Sequence, residues 1–94
     1  MNMHNPPHPG EILRDALEGL GMTVTDFAEH IGVARSTVNR VLSGSAGISP
    51  DMSIRLAEAF SQPTRDIWLK MQMDYDMWQA LQAKRKKIKS LKAA

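Results

Sequence analysis

The chain has 94 residues, 43% of them hydrophobic, with no cysteine and a net charge of +2. That length suits one compact domain, and the missing thiols exclude disulfides and thiolate catalysis and point to a reducing cytoplasm. No apolar run approaches the roughly 20 residues that span a bilayer, and the first residues are neither basic nor apolar like a signal peptide, so a cytoplasmic protein without membrane contact is expected.

The charge is divided unevenly. Lys84, Arg85, Lys86, Lys87, Lys89 and Lys92 crowd into the last eleven residues, and residues 1–83 sum to −4. If the body of the chain binds nucleic acid, it must do so through a local basic face and the positive ends of helices, because its bulk charge has the wrong sign.

Met1 to Pro7 has no apolar period and is expected to be loosely ordered. A first helix should begin near Pro9, a residue suited to a first turn, with Ile12, Leu13, Ala16, Leu17 and Leu20 as an apolar stripe. Glu11, Arg14, Asp15 and Glu18 lie off that stripe at spacings that allow pairing across a turn, and Gly21 should end the helix. Thr23 can cap a second helix that turns Phe27, Ala28 and Ile31 inward and ends at Gly32. Val33 and Ala34 span a tight connection to a third helix, Arg35 to Ser43, with Gly44 beyond it. After a loop from Ser45 to Ile48, Ser49-Pro50-Asp51 combines a capping serine, a first-turn proline and an acid facing the helix dipole. The fourth helix so begun carries Met52, Leu56, Ala57 and Phe60 inward. Pro63 breaks the chain, and Thr64 can cap a fifth helix whose one face holds Ile67, Trp68, Met71, Tyr75 and Trp78. That helix either continues or restarts at Asp74, making five helices or six. Past Ala83 the lysine run is polar on all sides. Every periodic segment favours helix, and the fold class is all-α. The organisation expected is a loose segment over 1–7, a domain over 8–83 and a basic tail over 84–94.

The stretch from about residue 24 to 43 carries the function. Two short helices crossing at a near right angle over a three-residue turn constrain their side chains closely. A small residue is needed where they cross, which Ala28 supplies, and one that accepts positive φ is needed in the turn, which Gly32 supplies. Val33 can plug the junction, and Val38, Val41 and Leu42 can press the second helix into the core. At 100° per residue, Ser36, Arg40 and Ser43 then face outward, flanked by Thr37 and Asn39, with Arg35 at the helix tip. This face has no acid and no large apolar residue. It offers guanidiniums, an amide and hydroxyls, the groups that bond base edges and phosphates. With Thr25 on the preceding helix, these are the expected DNA-binding residues. A helix-turn-helix covers only a few base pairs, so two copies are expected, reading half-sites about 34 Å apart.

Thr23 through Val38 resembles the Cro/repressor-type helix-turn-helix of five-helix DNA-binding domains. More narrowly, the chain is similar to the HigA-type antitoxins, the VapI family. The likeness runs from His8-Pro9-Gly10-Glu11-Ile12-Leu13 through Leu42-Ser43-Gly44, Gly47-Ile48-Ser49-Pro50-Asp51-Met52 and Arg55-Leu56-Ala57. It ends with Trp68-Leu69, Gln72, Tyr75-Asp76 and Trp78. The resemblance implies a dimer that binds a palindromic operator and represses its own operon. It also implies a partner toxin, an RNA-cleaving protein of the HigB type. Two features depart from the pattern: Ala34 stands where serine is frequent, and the tail after Lys84 has no counterpart.

Other residues carry less. His4, His8 and His30 are scattered and lack cysteine neighbours, so no metal site and no cofactor is expected. The carboxylates lie along solvated helix faces, and no nucleophile elbow or phosphate loop is present, so no enzymatic activity is expected. Trp68, Tyr75 and Trp78 read as core or as the dimer surface. The tail could grip phosphates, contact RNA or be a solvated frayed helix. Glu11, Asp15, Glu18, Asp74 and Asp76 are the acids with the right sign for a basic toxin. A stand-alone repressor of the same fold is the alternative reading, and an adaptor that uses the helix pair only to bind protein is a further one.

Overall fold

The computed structural model describes residues 5–92 and places five helices on them: α1 (Pro9–Leu20), α2 (Val24–Ile31), α3 (Arg35–Ser43), α4 (Pro50–Ala59) and α5 (Ile67–Gln82). No strand occurs among the described residues. Met1 to His4, which carry His4 and part of the segment expected to be loose, lie outside them, as do the last two residues.

Most boundaries follow from capping chemistry. Thr23 Oγ1 accepts from the Asp26 amide at 3.1 Å to open α2, and Ser49 Oγ accepts from the Met52 amide at 3.1 Å to open α4, with Pro50 in its first turn. Gly21, Gly32 and Gly44 close α1, α2 and α3 in left-handed conformations. Each side-chain cap is worth about 1 kcal/mol. The opening of α1 is more elaborate than the sequence pattern indicates. His8 Nδ1 accepts from the Gly10 amide at 2.9 Å, and Glu11 Oε2 reaches back to accept from the His8 amide at 3.2 Å. A histidine thus takes the place of the usual serine or threonine in a reciprocal capping box.

The core is one cluster. Leu13 and Leu17 of α1, Phe27, Ala28 and Ile31 of α2, and Val38 and Val41 of α3 meet Met52, Leu56 and Ala57 of α4 and Trp68 of α5. Helix α3 packs on α1 and α2, α4 on α2 and α5, and α1 touches α5. Phe60, at the end of α4, lies between Phe27 and Trp68 with ring centroids 5.8 Å from each. Helix α1 comes so close to α3 that a Cβ on Gly10 would run into the Val41 carbonyl oxygen.

Several expectations are corrected. Leu20 does not join the α1 stripe but stands 62% exposed, since Gly21 turns the chain before the core reaches it. The α1 charges do not pair across a turn: the Arg14 guanidinium instead donates to the Leu42 carbonyl at 3.2 Å, tying α1 to the end of α3. Thr64 caps nothing; α5 begins at Ile67 after Asp66, which makes no side-chain cap. That helix then runs unbroken past Asp74, so the helices number five among the described residues. Residues 5–7 are not helical, yet Pro6 is half-buried and the segment forms one wall of a groove beside α5.

Candidate nucleic-acid interface

The helix pair α2–α3 is built around its turn. Gly32, at φ 77°, makes the left-handed corner that a side chain would strain, and its amide donates to the carbonyls of Ala28 and Glu29. The Val33 amide also bonds to Ala28, at 3.0 Å, and the half-buried Val33 side chain packs on the core. Val38 and Val41 are buried and Leu42 partly so, which sets the roll of α3 about its axis.

The sequence missed a second support. Arg55, on α4, donates from Nη1 to the Ile31 carbonyl at 2.6 Å and more weakly to Gly32 at 3.5 Å, while Nε bonds Asp51 at 2.9 Å. These carbonyls are the orphan acceptors at the end of α2, and a cation there also opposes the negative end of the helix dipole. The guanidinium therefore fixes the turn from outside the helix pair. The spacing of Asp51 and Arg55 advertises the ion pair, but no local pattern reveals the contact across to α2.

With α3 so rolled, its outward face is the one expected. Arg35, Ser36, Asn39, Arg40 and Ser43 are exposed and Thr37 is half-buried. Thr25 is exposed on the first turn of α2. The helix contains no acidic residue, and Ala34, its N-cap, makes no side-chain cap. The missing cap leaves the positive end of the α3 dipole open to an anion such as a phosphate. Two side chains are less free than the sequence implies. Ser43 donates to the Arg40 carbonyl at 3.2 Å and lies 3.0 Å from the Ser45 hydroxyl, so it is turned back along its own helix. Thr37 is partly enclosed by neighbouring packing. The arginines and Asn39 remain the side chains with reach, and they match guanine and adenine edges respectively.

The aromatic trio does not form a single surface. Trp68 is 2% exposed and donates from its indole nitrogen to Gln62 Oε1, deep in the core. It cannot contribute to a dimer surface, because the core has already consumed that face of α5. Tyr75 packs edge-on against His8 with centroids 4.9 Å apart, and its hydroxyl accepts from Gln79 at 2.9 Å. Tyr75 and Trp78 line a groove of about 820 Å³ with Asn5, His8, Ser43 and Gly44. The apolar surface that α5 does leave open is on its other side: Met73, Met77 and Leu81 are 57%, 54% and 60% exposed. Their four-residue spacing was visible in the sequence. What was not visible is which side of α5 faces inward.

The expected toxin-facing acids, Glu11, Asp15, Glu18, Asp74 and Asp76, are all exposed. Two have local duties, since Glu11 closes the capping box and Asp76 accepts from Gln72 at 2.9 Å. Gln72 itself is buried and accepts from the Ile48 amide, pinning the loop before α4. Among the described residues, no three His, Asp or Glu side chains gather as a metal site, and no helix is long and apolar enough to cross a membrane.

This arrangement is that of a DNA-binding helix-turn-helix protein. A model of the helix-turn-helix family matches residues 13–67, and the chain belongs to that family. Within it, the chain is 38% identical to virulence-associated protein A′ of Dichelobacter nodosus, over 82% of this chain and 67% of that one. Its structure is similar to an addiction module antidote protein of a HigA family from Coxiella burnetii, with a TM-score of 0.78, 37% identity, and coverage of 83% of this chain and 85% of that. It is also similar to the Pseudomonas aeruginosa antitoxin HigA, solved with the higBA promoter, with a TM-score of 0.75, 37% identity, and coverage of 80% and 82%. The HigA-type resemblance read from residues 8–80 is thus present in sequence and fold alike.

Proposed function

We propose that the chain is the antitoxin of a toxin–antitoxin pair, a cytoplasmic, non-enzymatic dimer that binds a palindromic operator, represses its own operon and neutralises an RNA-cleaving toxin of the HigB type. The observation that carries the DNA part is the acid-free outward face of α3, with Arg35, Asn39 and Arg40 exposed on a helix whose roll is set by Val38 and Val41. Thr25, Ser36, Thr37 and Ser43 surround these three and suit phosphate and sugar contacts better than base reading. The similarity to proteins named as antidotes and antitoxins supports the toxin part.

Two-fold symmetry suits the reading, because a C2 dimer presents two copies of α3 to two half-sites. We place the dimer contact on the Met73, Met77 and Leu81 stripe of α5, with the partner copy as its occupant. A stripe along a single helix is self-complementary under a two-fold axis, and the shallow groove beside it is lined by Ile48, Leu69 and Ala80. The toxin contact falls on Asp15, Glu18 and Asp74, which lie off α3. An RNA-cleaving partner must present a basic surface to its substrate, and the −4 body has the complementary sign.

Co-expression with any small basic protein that proves to be encoded beside this chain tests the toxin reading. A stable complex that restores growth is expected. A chain with Arg35→Ala and Arg40→Ala should still neutralise, since toxin and operator occupy separate faces. If no neighbour copurifies and none is toxic alone, the stand-alone repressor replaces the antitoxin.

A further inference from the structure

The tail is neither a continuation of α5 nor part of the core. Helix α5 stops at Gln82, Ala83 is extended, and residues 84–92 are non-helical and exposed at every position. Six cations stand within those nine residues, against a body that sums to −4. The frayed-helix reading therefore gives way to an exposed, non-helical basic segment. Like-charge repulsion among neighbours favours extended conformations in such densely charged segments.

The position of this segment matters as much as its charge. The 820 Å³ groove brings Tyr75, Trp78 and Gln79 of α5 beside Ser43 and Gly44 at the end of α3. Gln82 lies three residues, just under a full turn, beyond Gln79, about 4.5 Å along the axis. The tail thus starts about one turn beyond the α5 residues that share this groove with the C-terminal end of α3. Fully extended, its nine residues reach about 30 Å. That is close to one turn of duplex, about 34 Å.

We propose that residues 84–92 are an arm that follows the phosphate backbone beside the half-site read by α3, supplying the attraction that the acidic body lacks. This rests on the DNA reading of α3 and deepens it. The arm contributes affinity and no sequence preference, because phosphates carry no sequence information. Ile88 and Leu91 interrupt the cations, and they have no role in phosphate contact; they provide the control.

Fluorescence anisotropy with the full chain tests the arm. The probes are duplexes of roughly 30 base pairs, three turns of DNA, one from the region upstream of its own reading frame and one of random sequence. One variant carries glutamine at all six cationic positions, and the other carries Ile88→Ser and Leu91→Ser. Each phosphate contact contributes about 0.9 to the slope of log affinity against log salt. With half the cations of a tail engaged the slope falls by about 2.7 for each bound protomer, which is about a 40-fold change per protomer between 50 and 200 mM salt. The arm predicts that drop for the glutamine variant, an unchanged preference for the upstream duplex, and parental behaviour for the serine variant. A slope within about one unit of the parent, less than two contacts, overturns it. So does a loss that the serine variant reproduces, which would assign the tail to a protein contact. If the parent chain shows no preference between the duplexes, the DNA reading of α3 fails, a result separate from any effect of the tail.

Discussion

Two glycines of α1 predict opposite responses to the same substitution. In a helix, replacing glycine with alanine stabilises by roughly 0.5–1 kcal/mol, because the unfolded chain loses freedom. At Gly19 a new Cβ meets nothing within 4 Å, so Gly19→Ala should show that gain in full. At Gly10 the same Cβ collides with the Val41 carbonyl oxygen, a backbone atom of α3 that no rotamer change can move aside. Relief requires α1 to shift off α3, disturbing Leu13 against Val38 and Val41 and straining the Arg14–Leu42 tie. Overpacking of this kind costs about 1–3 kcal/mol, more than the helix gain returns. For a domain of this size about 1 kcal/mol moves the melting temperature by 4–8 °C. Thermal unfolding followed by circular dichroism should therefore place Gly19→Ala above the parent and Gly10→Ala several degrees below it. If both variants melt above the parent, the close approach of α1 to α3 is wrong, and with it the seating of α3.

Arg55→Ala should cost about 1–3 kcal/mol in urea unfolding, since it leaves the Ile31 and Gly32 carbonyls without their donor. Asp51→Asn should cost less than about 1 kcal/mol because that ion pair is exposed; equal costs would show that the pair, not the carbonyl anchor, matters. Met77→Asp should yield a monomer in sedimentation equilibrium with helix content unchanged, because the side chain is 54% exposed in the isolated chain. A dimer that survives this change does not use the α5 stripe.

Most helix ends were legible because a single residue carries the signal, although Thr64, read by the same rule, caps nothing. Thr23, Ser49, Gly21, Gly32 and Gly44 each act through bonds or backbone angles within a few residues, and local sequence is enough to find them. The inward face of α3 was legible for a related reason, since Val38 and Val41 leave only one side for the polar residues. Helix α5 was less so. Its stripe of Trp68, Tyr75 and Trp78, of which only Trp68 is buried, and its exposed stripe of Met73, Met77 and Leu81 are both apolar at helical spacing. Periodicity cannot decide which of two such faces the core takes. Gly10, Arg55 and Gln72 were illegible because each acts on an element distant in the chain: the Val41 carbonyl, the Ile31 carbonyl and the Ile48 amide. His8 was read as a metal candidate or a surface residue because histidine is not among the usual caps, although its ring nitrogen can accept the same bond.

The central claim is that the outward face of α3 reads base sequence. The most direct measurement is the affinity of a chain carrying Arg35→Ala and Arg40→Ala for its upstream duplex and for random DNA, at one fixed salt concentration. Each lost bidentate contact should remove about 1–3 kcal/mol of discrimination, so the two duplexes should be bound almost alike while circular dichroism stays parental. An undiminished preference for the upstream duplex, from a fully folded double variant, would contradict the account and place the reading surface elsewhere on the molecule.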